Sequence, residues 1–76
     1  MKQIKLTELP FKKKAIIKSF SETELYVKLL EMGVIPDEEI SIELSAPFGD
    51  PLAVYVAGYQ LSLRRKEAEN IIVEIE

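Results

Sequence analysis

The chain has no cysteine, no histidine and no tryptophan, and only three glycines among its 76 residues. Without thiols there can be no disulfide staple, and without thiolate or imidazole there is no zinc clip and no ligand set that selects a borderline transition metal. The same gaps remove the Ser-His and Cys-His arrangements of nucleophilic catalysis. Neither a cofactor nor a resident metal is expected, and the chain reads as a binding protein, not an enzyme. The longest apolar run, Leu52 to Ala57, is far short of the ~20 residues that cross a bilayer. A net charge of -3 argues against nucleic acid as a partner, since such binders present an excess of Lys and Arg to phosphate. Met1 to Lys14 alternates polar and apolar residues and ends in three lysines, unlike a secretory leader. With the lack of cysteine, this points to the cytoplasm.

What is present is globular composition, 47% hydrophobic and 30% charged. At 76 residues the expectation is a single domain over 1–76 that buries only roughly 60% of its unfolded surface. Ile4, Leu6 and Leu9 read as a short lead-in along the fold, followed by a strand from Lys14 to Phe20. Ser21 and Glu24 have capping-box spacing, with Phe20 and Leu25 as the staple, and Gly33 followed by Pro36 marks the exit of a helix ending at Met32. Strict alternation then marks strands at Ile40 to Ser45, Leu52 to Val56 and Tyr59 to Leu63. A helical turn in Arg64 to Asn70 precedes a last strand, Ile71 to Ile75. About five short strands cannot bury both faces of an open sheet in so short a chain, so the pattern predicts a mainly β, SH3-like barrel with one helix after its first strand.

Four features could carry function. The acidic turn Asp37, Glu38, Glu39 fits a solvated turn, with weak binding of a hard cation as the other reading. The basic runs Lys12 to Lys14 and Arg64 to Lys66 lack the interleaved aromatics that stack on bases, though Arg64 and Arg65 could reach a partner's nucleotide phosphates. In the loop Ala46 to Pro51, two prolines bracket Phe48, which either covers the end of the barrel or is offered to a partner at small ordering cost. On the helix, Leu25, Leu29 and Met32 form one stripe, Leu30 and Tyr26 lie beside it and Val27 beyond. This apolar arc of roughly 200° is wider than a small barrel covers. Tyr26, Val27, Leu30 and Phe48 are therefore the expected partner-binding residues, with Arg64 and Arg65 as accessories.

These residues together resemble the FeoA family of the bacterial ferrous iron uptake system. The matching stretches are Leu6 to Leu9, the helix exit Leu29, Leu30, Glu31, Met32, Gly33, Val34, Ile35, Pro36, the loop Ala46 to Pro51, and Leu61 to Ala68 with Ile71 to Val73. The resemblance implies a cytoplasmic SH3-like barrel in its stand-alone form, without the DNA-binding helices of DtxR-type repressors. The implied partner is the cytosolic GTP-binding region of the FeoB transporter. It also implies association with transition metals, so that a metal-responsive module built on Glu38 and Glu39 is the alternative reading. A homodimer through exposed helix faces stays open. The sequence departs from the family pattern at Lys12 and Asp37, where glycine is frequent, and at Tyr26 and Val27, where basic residues are common.

Overall fold

The computed structural model describes Met1–Glu76. The chain runs β1 (Lys2–Lys5), a 3-10 turn (Leu6–Glu8), β2 (Ala15–Phe20), α1 (Thr23–Glu31), β3 (Glu39–Ser45), β4 (Leu52–Val56), β5 (Tyr59–Leu63), α2 (Arg65–Ala68) and β6 (Ile71–Ile75). All six strands form one antiparallel sheet in the order β1-β6-β2-β3-β4-β5. It curls around a cluster of fifteen buried hydrophobic side chains, among them Leu6, Ile17, Leu29, Ile42, Val54, Leu63 and Val73. The mainly β barrel expected from the sequence is the observed architecture.

Three local expectations differ from the structure. The lead-in is a strand: Ile4 pairs opposite Val73, so Lys2–Lys5 forms a sixth strand on the free side of β6. The helix begins at Thr23 with Glu22 as its N-cap, and the Ser21–Glu24 capping box does not form. Ser21, just past β2, instead donates its amide to the carbonyl of Asn70, just before β6, at 2.8 Å. Leu44, which strict alternation would bury, is exposed. A bulge lies between Ile42 and Leu44, so that Glu43 and Leu44 together oppose Ala53, and Leu44 moves to the outer face. Lys12, in the loop before β2, donates its amide to the Ile42 carbonyl beside this bulge at 2.8 Å.

Turn chemistry fixes the remaining geometry. Ala57 and Gly58, at φ 51° and 84°, are the two residues linking β4 to β5. Positive φ at both is the requirement of the type I′ hairpin, whose twist matches that of the flanking strands. Lys12 and Asp37, where the sequence lacks the family's frequent glycines, adopt φ 66° and 76°. Asp37 tolerates that conformation through its short polar side chain, whereas Lys12 adopts it at a steric cost.

Candidate functional site

α1 is fastened at its C-terminus. Gly33, at φ 98°, donates its amide to the Leu30 carbonyl at 3.0 Å, and Val34 donates to Leu29 at 2.9 Å. This crossed pair is a Schellman cap, and its accompanying apolar contact is supplied by Leu29 and Val34, both fully buried. Leu29 is the only α1 residue wholly inside, with Leu25 and Met32 packed on the core from the same stripe. The other side of the arc faces outward, with Tyr26 43% and Val27 61% exposed and Leu30 half-buried between them and the core. The Tyr26 ring rests on Phe20 at a centroid distance of 5.3 Å, in a tilted pair that holds it in place. A shallow depression lined by Lys18, Phe20, Thr23, Tyr26 and Pro36 adjoins that ring.

The second apolar projection is Phe48, 99% exposed at the tip of the loop between β3 and β4. It does not cover the end of the barrel. The loop beneath it is closed by two backbone hydrogen bonds, Gly49 to Ala46 at 2.8 Å and Ala46 to Pro51 at 3.0 Å. It is also clamped from α2: the Arg65 amide donates to Asp50 Oδ1 at 3.0 Å, and Arg65 Nε donates to the Gly49 carbonyl at 3.2 Å. A Cβ on Gly49 would lie 3.4 Å from Arg65 Nη2, and the φ of 83° disfavours any side chain there. Arg65 is thus engaged within the chain, holding the loop that displays Phe48, while the Arg64 side chain is exposed.

A cleft separates α1 from the Phe48 loop, lined by Glu22, Glu24, Lys28, Asp50, Arg64 and Glu67 among others. Charges of both signs therefore stand beside the apolar projections, an arrangement common where a polar rim surrounds an apolar docking core. Glu67 anchors this region and was not singled out in the sequence. It is almost wholly buried, accepts the Arg64 amide at 2.8 Å through Oε1, and receives the Lys28 ammonium at 2.6 Å on Oε2. Burial works to raise its pKa, but the bonds from Lys28 and the Arg64 amide, with the nearby positive charges, outweigh it and hold the carboxyl below the ordinary glutamate range. The three-residue spacing from Arg64 to Glu67, that of a capping box, was the available signal.

Glu38 and Glu39 are exposed, with Lys14 Nζ 3.9 Å from Glu39 Oε1. No group of three or more acidic side chains is placed to hold a metal ion together. No helix is long and apolar enough to cross a membrane.

Comparison with known proteins adds the following. The family model described as the FeoA domain matches residues 4–75. A curated relative, the Fe(2+) transport protein A/Fe(2+) transporter FeoB fusion protein of Porphyromonas gingivalis, is 33% identical over 73 residues, which cover 95% of this chain. They amount to 9% of that much longer protein. Among solved structures, the FeoA-like protein from Clostridium acetobutylicum superposes with a TM-score of 0.89 at 41% identity, over 99% of this chain and 88% of the other. Iron(II) transport protein A from Clostridium thermocellum gives 0.86 at 40% identity, over 95% of this chain and 45% of the other.

Proposed function

This chain belongs to the FeoA domain family, and on that premise we propose that it is a cytoplasmic accessory protein of ferrous iron uptake. In this reading it docks on the cytosolic GTP-binding region of a FeoB-type transporter and regulates it without chemistry of its own. The observation that carries the reading is the outward half of α1: Tyr26 and Val27 stay exposed on a helix already pinned to the core by Leu29 and capped at Gly33. Exposed apolar side chains on a rigid element cost little ordering entropy when a partner covers them. Phe48, held out by the Arg65 clamp, is the second contact, and Leu30 continues the α1 surface inward. The fusion relative supports the choice of partner, because it carries the two components on one chain by name. Arg64, at the cleft between the two contacts, contributes a charge at the rim.

The test is titration calorimetry against the isolated cytosolic domain of a FeoB-type transporter, with and without guanine nucleotide. Val27→Glu and Phe48→Ala should each weaken binding about tenfold or more, as truncated interface anchors do. Since both side chains are mostly exposed, neither variant should change the stability of the fold by more than about 0.5 kcal/mol. Val27→Glu with intact fold and intact binding would remove α1 from the interface.

A further inference from the structure

The two outer strands of the sheet are treated unequally by the sequence. β1 carries exposed lysines at positions 2 and 5, the kind of charge that guards an open edge against pairing. β5, at the opposite edge, reads Tyr59, Gln60, Leu61, Ser62, Leu63, with no charge, no proline and no bulge. Its inner partner is β4 alone, with Val56 opposite Tyr59 across the two-residue turn. In such a hairpin the bonds alternate, so that Tyr59, Leu61 and Leu63 bond to β4 while the amides and carbonyls of Gln60 and Ser62 point away from it. None of the backbone hydrogen bonds outside the ladders involves a β5 residue. The edge is accessible, with Tyr59, Gln60 and Ser62 all exposed.

We propose that β5 is a homodimerisation edge, pairing antiparallel with β5 of a second copy about a two-fold axis at Leu61. The edge is self-complementary in that register. Gln60 of each copy faces Ser62 of the other, and each of these pairs exchanges both of its N–H···O bonds, which satisfies every outward group of the strand. Leu61 meets its own counterpart at the closer, non-hydrogen-bonded spacing, on the side where it already packs against the core. Because the strand is neutral, no like charges meet across the axis. Any antiparallel strand can pair with its own copy about a two-fold axis, and what favours a second copy here is that β5 brings no charge to that axis, unlike β1 with its lysines. The inference is independent of the transporter reading, since it uses neither α1 nor Phe48.

Sedimentation velocity from about 10 μM to about 1 mM should show a reversible monomer–dimer equilibrium, as for a small, weak interface. Over the same range, the Gln60 and Ser62 amides should gain hydrogen-exchange protection of about tenfold or more as the dimer fills. The double variant Gln60→Lys/Ser62→Lys puts lysine opposite lysine at both pairs and should stay monomeric at an unchanged unfolding temperature. Val27→Glu should dimerise like the parent chain. A parent chain monomeric throughout, a double variant that dimerises equally, or protection that rises on α1 while β5 stays unprotected would each overturn the proposal.

Discussion

Glu67 offers the most direct test of how the short α2 turn holds the rest of the molecule. Its carboxylate satisfies the Arg64 amide and receives the Lys28 ammonium, which joins α1 to α2. In Glu67→Ala both are lost. A lost helix-cap interaction costs about 1 kcal/mol. The ion pair adds only about 0.2–1 kcal/mol, because Lys28 is 60% exposed and the pair is screened by water. The sum, about 1.2–2 kcal/mol, corresponds to a drop of roughly 5–16 °C in the thermal midpoint for a domain of this size. Glu67→Gln separates the two contributions: the amide oxygen can still accept from Arg64, so only the charge is lost and the drop should be roughly 1–8 °C, smaller than in the Ala variant. The pH dependence follows from the depressed carboxyl. A carboxyl whose folded pKa is lowered stabilises fully above its unfolded pKa, about 4.3, and loses that contribution as pH falls through the folded value. Urea titrations followed by circular dichroism should therefore show the parent chain and Glu67→Gln converging as the pH is lowered through that window, having differed at pH 7. Equal losses in the Gln and Ala variants, or a Gln difference that persists below both pKa values, would refute the assignment.

Two further outcomes are expected from the same denaturation assay. Leu29→Ala, which empties the one wholly buried position of α1, should cost about 2–5 kcal/mol. Lys12→Gly should stabilise by a few tenths to about 1 kcal/mol, because relief of the left-handed penalty at φ 66° exceeds the added freedom of the unfolded chain. Destabilisation there would mean that the Lys12 side chain contributes packing that outweighs backbone strain.

The strands of this protein were legible where one periodicity held without interruption. Leu52, Val54 and Val56 are buried as their alternation requires, and Ile71 and Val73 likewise. The helix exit was legible for a different reason: glycine at the C′ position followed by an apolar residue is a local motif, and Gly33 with Val34 forms it. The helix entrance was not, because Ser21 has two possible bonding partners, the first turn of a helix and Asn70 just before β6, and only tertiary pairing decides between them. β1 was missed as a strand since Lys2, Gln3, Ile4 and Lys5 contain a single apolar residue; its extended form is set by the β6 ladder and not by local preference. Of the candidate site, the outward position of Tyr26 and Val27 followed from the excess width of the apolar arc. The role of Arg65 did not, because its acceptors Gly49 and Asp50 lie fifteen or more residues away in sequence.

The bulge in β3 bears on how the sequence can change over evolutionary time. Because Glu43 and Leu44 share one place opposite Ala53, β3 spends one residue more than its partner requires. Loss of Glu43 would leave Ile42 opposite Val54 and Ser45 opposite Leu52, with no later side chain exchanged between core and solvent. At a regular position of the same strand, the same one-residue loss would turn every following residue inside out. Insertions and deletions among homologous chains should therefore collect at this point of β3, where the reading frame of the sheet absorbs them.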